Sequence, residues 1–225
     1  MPNSTQTVHA GTSPNAPPGR RERHRVEVRE RLYRAALALF AERGYLETKV
    51  EDITDAADVG KGTFFNYFPT KEHVLGALGM ERVAIVQRAF ESVRSGDVPV
   101  VPVLRELAAE LASQDSSGLL RAILVAHASS APVRVDLQKR MRLSRRALAG
   151  ILALAQRRNE IRRDISPLAL ARLTQFALLG AKLAWSMDPE GSSRRMGEEL
   201  WGILYSGMKR KKSGKGGVRM RNGKG

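Results

Sequence analysis

Residues 48–71, TKVEDITDAADVGKGTFFNYFPTK, restrict the fold more than any other stretch of the chain. Val50, Ile53 and Ala57 recur at helical spacing and give a first short helix one apolar face. Thr48 followed by Glu51 has the form of a capping box, in which hydroxyl and carboxylate satisfy free amides at a helix start. Ala57-Asp58-Val59-Gly60 then interrupts the pattern. Asp tolerates a left-handed backbone and Gly favours it, so a sharp turn costs little there. From Lys61 to Phe68 the helical spacing resumes, with Phe64 and Phe68 four apart and directed inward. Thr63, Asn66 and Tyr67 fall on the outer side, beside Lys61. Two helices joined by a turn of a few residues, the second with small polar and aromatic groups outward, form the layout of a DNA-reading helix-turn-helix.

Residues 28–78 resemble the DNA-binding domain of the TetR family of bacterial repressors. The likeness is carried by ALALFAERGY (36–45), VEDIT (50–54) and above all VGKGTFFNYFPTKEHVL (59–75). Amphipathicity alone hardly produces a Gly-Thr-aromatic-aromatic-x-aromatic-Phe run followed by Lys-Glu. Three positions depart from the family pattern. Asp58 stands where Gly is usual, Phe65 where Tyr is common, and Lys49 where a second Thr is frequent. The resemblance implies a role for each outward residue. Lys61 and Thr63 would meet base edges or nearby phosphates, and Gly62 would let the backbone approach. Phe65 would touch a thymine methyl group, Asn66 would pair with adenine or hold a phosphate, and Tyr67 and Lys71 would bond phosphates. Thr48 and Lys49, at the start of the first short helix, complete the expected contact set.

Strand signals are nearly absent from the remaining chain, where Ala, Leu, Arg and Glu dominate, so the fold class is all-α. The 225 residues suffice to bury a real core, and a net charge of +15 favours a polyanionic partner. Without cysteine there is neither a disulfide framework nor thiolate chemistry, which fits a cytoplasmic location. MPNSTQTVHAG lacks the layout of a signal peptide, and the apolar run 168–185 is broken by Arg172, Gln175 and Lys182, so no membrane span is expected.

Residues 1–24 are expected to form a disordered basic tail. Arg20, Arg21, Arg23 and Arg25 are either an arm that contacts phosphates or the minor groove, or charge on a solvated tail. The DNA-binding domain spans 25–72. Its first helix runs from about Val26 to Arg43, carries Val28, Leu32, Ala36, Leu39 and Phe40 inward, and stops at Gly44. A helical ligand-binding and dimerisation domain occupies 73–208. It starts with a helix capped by Thr70 that runs from Lys71 to about Arg94. Further helices are expected near 100–113, 117–129, 133–158, 166–186 and 191–208, separated at Gly118, Pro132, Ser166-Pro167 and Pro189-Glu190-Gly191. Helix 166–186 is apolar nearly all round and requires neighbours on two sides. By resemblance to the family, the second neighbour is a second copy of the chain, paired through 166–186 and 191–208. The tail 209–225 holds eight Lys or Arg and no acid. It is read as disordered, and either adds nonspecific DNA affinity or is inert.

No catalytic constellation is present: His9, His24, His73 and His127 are scattered, and no metal motif, phosphate loop or nucleophile elbow occurs. The chain is read as no enzyme, with no cofactor and no metal. Polar groups inside an apolar bundle are what would orient a small molecule, so His127 and Gln175 are the pocket candidates, with Phe90, Leu124, Leu179 and Trp185 as walls. The expected function is a ligand-responsive, sequence-specific transcriptional regulator, a repressor released from a palindromic double-stranded DNA operator by a small, mostly apolar effector. The alternative is a nonspecific, architectural binder of nucleic acid that works through its basic tails.

Overall fold

A computed structural model describes residues 19–96, 98–113, 116–189 and 191–209. Among them are nine helices and no strand: α1 (Arg20–Arg43), α2 (Val50–Ala56), α3 (Lys61–Tyr67), α4 (Lys71–Ser95), α5 (Val100–Ser113), α6 (Ser117–Ser129), α7 (Ala131–Arg157), α8 (Pro167–Met187) and α9 (Ser193–Met208). Most helix ends fall where the sequence signals them. Ser116 and Ser166 accept hydrogen bonds from the backbone N–H groups of Leu119 and Ala169, at 3.1 and 3.2 Å, and so satisfy amides left open at two helix starts. Pro132 and Pro167 sit in the first turns of α7 and α8, where a missing N–H costs nothing.

Four local expectations are corrected. The first helix begins at Arg20 instead of Val26, so Arg20, Arg21, Arg23 and Arg25 lie on α1 and not in a disordered arm. Arg and Glu are good helix formers, and Arg25 pairs with Glu22 one turn back at 3.3 Å, which extends the helix toward Gly19. The rest of the expected tail, 1–18, lies outside the described residues, as do 210–225. The cap of α2 is Lys49, whose N–H donates to Asp52 Oδ2 at 2.8 Å, so the box sits one residue later than Thr48–Glu51. Thr70 precedes α4 as expected, but its hydroxyl turns to His73 Nδ1 at 3.1 Å and caps no backbone amide. Gly118 is no break; it lies inside α6, where a Cβ would collide with the Ala41 carbonyl of α1.

The buried apolar side chains form two clusters, and α4 contributes to both. In the first, Leu32, Ala36 and Phe40 of α1 meet Ile53, Phe64 and Phe68, and Val74, Leu75 and Leu78 of α4 close the group. Leu119, Ala122 and Ala126 of α6 belong to the same cluster, so the packing of the small N-terminal head runs past residue 72. In the second, Val86 and Val93 of α4 meet α5, α7, α8 and α9 around Leu104, Ile151, Leu152, Leu170 and Trp201. The turn after α7 ties this bundle together. Arg158 donates to the carbonyls of Val93, Gly96 and Val98, while Glu160 accepts from the amides of Val100 and Val101. One turn therefore caps the end of α4 and the start of α5.

Candidate nucleic-acid interface and effector cavity

The turn between α2 and α3 is made by Asp58, whose φ of 51° lies in the left-handed region. An Asp side chain tolerates that conformation, which explains how the chain turns without the usual glycine. Gly60 then starts α3 with an ordinary negative φ. Phe64 is fully buried and Phe68 nearly so, which rolls α3 onto the head and turns its other face to solvent. Gly62, Phe65 and Asn66 are exposed there and Lys61 is exposed at the start of the helix, with Thr63 and Tyr67 half-buried beside them. A Cβ at Gly62 would meet nothing within 4 Å, so the backbone there is open to a close partner. Phe65 keeps 45% of its surface in solvent and stands edge-on to Phe64, with ring centroids 5.5 Å apart. Lys61 pairs with Glu51 of α2, and that ion pair holds the Glu51 carboxyl below its usual range. Lys49 is exposed as well.

Two residues expected at this interface do other work. Thr48 is fully buried and donates its hydroxyl to the Gly44 carbonyl at 2.7 Å, which closes the turn after α1. A side chain with no accessible surface cannot reach a phosphate. Lys71 donates to the carbonyls of Tyr45 at 2.8 Å and Thr48 at 3.1 Å, and lies over the Tyr45 ring at 4.3 Å. Its ammonium thus ties the loop after α1 to the start of α4, satisfying carbonyls no helix uses. Tyr45 completes the tie by donating to Glu72 Oε1 at 2.8 Å. Burial and that acceptor raise the pKa of the Tyr45 hydroxyl. Burial pushes the Glu72 carboxyl up, but hydrogen bonds from Thr70 and Tyr45 outweigh it and leave the group below its usual range.

The helical bundle forms a partly open cavity of about 310 Å³ between α4, α5, α6, α7, α8 and α9. That is at the lower end of the range for small-molecule sites. Leu124, His127, Gln175 and Leu179 line it as expected. Phe90 and Trp185 do not. Phe90 packs against Gly150 of α7, where a Cβ would lie 2.7 Å from its ring, so it wedges two helices together. Trp185 lies beyond Lys182, the last residue of α8 in the wall, and the indole that does line the cavity is Trp201 of α9. Trp201 falls on the buried face of α9 at helical spacing from Gly197 and Met208, a signal the sequence already carries. The wall is mostly Leu, Val and Ala, yet it includes Arg82, Arg140 and Lys182 and, among the described residues, no carboxylate. Sequence reasoning missed these cations because a charge on an amphipathic helix ordinarily marks the solvated face.

On the outside of the bundle, α8 exposes Leu168, Leu173, Phe176 and Leu179, and α9 exposes Ile203 at 70%. No helix among the described residues is long and apolar enough to cross a membrane.

The family model of bacterial regulatory proteins, tetR family, matches residues 32–78. The HTH-type transcriptional repressor DhaR of Mycobacterium sp. (strain GP1) is 32% identical over 174 residues, which cover 73% of this chain and 87% of that protein. The HTH-type transcriptional regulator TcmR of Streptomyces glaucescens is 35% identical over 120 residues, covering 53% of this chain and 47% of its own length. Among solved structures, Thermus thermophilus FadR, a TetR family transcriptional repressor in complex with lauroyl-CoA, superposes with a TM-score of 0.60 at 28% identity. The match covers 83% of this chain and 97% of that one. A fatty acid degradation regulator FadR from Bacillus halodurans shares the fold at 20% identity, with a TM-score of 0.69 over 82% of this chain and 97% of that one.

Proposed function

The chain belongs to the TetR family of bacterial regulatory proteins and is a ligand-responsive, DNA-binding transcriptional regulator of the repressor type, and from that premise we propose how it works. Two copies pair through the apolar residues that α8 and α9 leave in solvent. Each head places α3 in the major groove of one half of a palindromic operator, with half-sites on one side of the duplex. Lys61, Gly62, Thr63, Phe65 and Asn66 face the bases, Tyr67 holds a phosphate, and Lys49 adds a phosphate contact from the start of α2. The effector occupies the cavity, is mostly apolar, and is of the size of an acyl chain; the lauroyl-CoA bound by the Thermus relative supports that class. The site of action is the cytoplasm.

One observation carries the mechanism. Helix α4 packs Val74, Leu75 and Leu78 into the head core and lines the cavity with Val83 and Val86. A ligand that prefers one placement of α4 therefore prefers one placement of the head, and it shifts the equilibrium by that difference in affinity. The test is selection of binding sites from random DNA at near-physiological salt. An enriched palindrome is expected, with binding lost in Tyr67→Ala while the protein stays dimeric. Binding without any enriched sequence would replace this reading by a nonspecific basic binder.

A further inference from the structure

The cavity is apolar in area but cationic in charge. Arg82 of α4, Arg140 of α7 and Lys182 of α8 all line it, and among the described residues no Asp or Glu does. Burying a charge in such a wall is costly unless something compensates it. Arg140 is only 6% exposed, and its Nε has no hydrogen-bond partner. Its guanidinium pairs on one side with Asp136, which lies one turn earlier on α7 and opens to a groove outside the cavity. Burial lowers the pKa of Arg140, and the neighbouring charge of Arg82 lowers it further, so two like charges share this wall. Thr174 of α8 is 8% exposed and its Oγ1 also lacks a partner. Lys182 Nζ donates to the Leu111 carbonyl at 2.9 Å.

Buried donors without acceptors, beside cations that repel one another, are completed by an anion. We propose that the effector carries an anionic group on an apolar body, and that Arg140 receives the anion, assisted by Arg82, Lys182 and the Thr174 hydroxyl. The proposal rests on the reading of the cavity as the effector site and names the chemistry of its ligand. Its position also explains why occupancy reaches the DNA-binding head. Gly76 and Gly79 form a notch in α4 in which the Arg140–Asp136 pair lies. A Cβ at Gly76 would touch Asp136 Oδ2 at 3.4 Å, and one at Gly79 would collide with the Arg140 side chain. An anion that draws Arg140 toward the cavity therefore acts on α4 within two turns of Val74 and Leu75, which hold the head core.

The test is titration of the full chain with octanoate, dodecanoate, octanol, dodecanol and lauroyl-CoA, read by tryptophan fluorescence, since Trp201 lines the cavity. It is repeated on Arg140→Met, which keeps the apolar bulk, and on Thr174→Val, which removes only the hydroxyl. Dodecanoate should bind roughly tenfold or more tightly than dodecanol, and the preference should vanish in Arg140→Met while the alcohol still binds. Thr174→Val should weaken the same preference without removing it. If lauroyl-CoA, and not dodecanoate, holds the advantage and loses it in Arg140→Met, the anion sits on a carrier and the proposal stands. Alcohols that bind as tightly as every anion, or an anion preference that survives Arg140→Met, overturn the proposal and leave the effector cavity intact. Failure of all five probes to bind overturns the cavity reading itself.

Discussion

Replacing Gly197 by Ala tests the contact that fixes α9 on the bundle. Gly197 is buried where α9 crosses α5, and a Cβ there would lie 2.6 Å from Ala112 Cβ, 2.8 Å from the Ala108 carbonyl oxygen and 3.2 Å from Ala109 Cα. Carbon atoms in contact prefer about 3.5–4.0 Å, so the helices must separate by roughly 1 Å. Two of the three neighbours are backbone, which has no rotamer to yield. Overpacking of this kind costs about 1–3 kcal/mol, and the better helix propensity of Ala returns up to about 1 kcal/mol. With the full propensity gain returned, the net loss is at most about 2 kcal/mol and lowers the melting temperature by up to roughly 8 °C for a chain of this size. Trp201 lies one turn further along the same face of α9, so the cavity wall moves with it and effector affinity falls as well. Thermal unfolding by far-UV circular dichroism, at one protein concentration, measures the loss. Gly207→Ala is the control, because a Cβ there meets nothing within 4 Å. A Gly197→Ala protein that melts at or above the wild-type temperature refutes the packing argument.

Three further outcomes follow from the head. Glu51→Gln removes the carboxylate that pairs with Lys61 and should raise operator affinity several-fold, with a salt slope steeper by up to about one; weaker binding, measured by anisotropy against salt, would contradict the placement of Lys61. Lys71→Met should lower the melting temperature, since carbonyls of the loop after α1 lose their donor at a cost of about 1–3 kcal/mol; unchanged stability with operator binding abolished would instead make Lys71 a phosphate contact. Tyr45→Phe should cost about 1 kcal/mol at neutral pH, the low end for a bond to a carboxylate that is partly solvated. Because the Glu72 carboxyl is held below its ordinary 4.5, the stabilisation is present above that pH and disappears as pH falls through the lower folded value. The gap between wild type and Tyr45→Phe should therefore narrow on acidification below about 4.5, and a gap independent of pH would be inconsistent with the bond.

Much of the recognition face was legible because its determinants are local. Phe64 and Phe68, four residues apart, must share a face, so Gly62 and Asn66 must share the opposite one with Phe65 at its edge, while Lys61 is exposed because it opens the helix. The internal bonds of Thr48 and Lys71 were hidden from the sequence because both are polar and stand beside that face. Their partners are carbonyls of the turn after α1, for Lys71 as many as 26 residues away in sequence.

The same division runs through the whole protein. Spacing of apolar residues, with Ser, Pro and Gly at the breaks, determines the helices of the described residues and the head that presents α3, since each signal acts within a turn or two of the chain. Which helix lies against which is decided by packing between distant segments. Only that packing brings Arg82, Arg140 and Lys182, spread over 100 residues, into one apolar cavity. It also makes glycine necessary at 118 and 197, where the backbone of another helix fills the place of a Cβ. A helical period states which face is apolar but carries no information about the neighbour, and the chemistry of the cavity belongs to the neighbours.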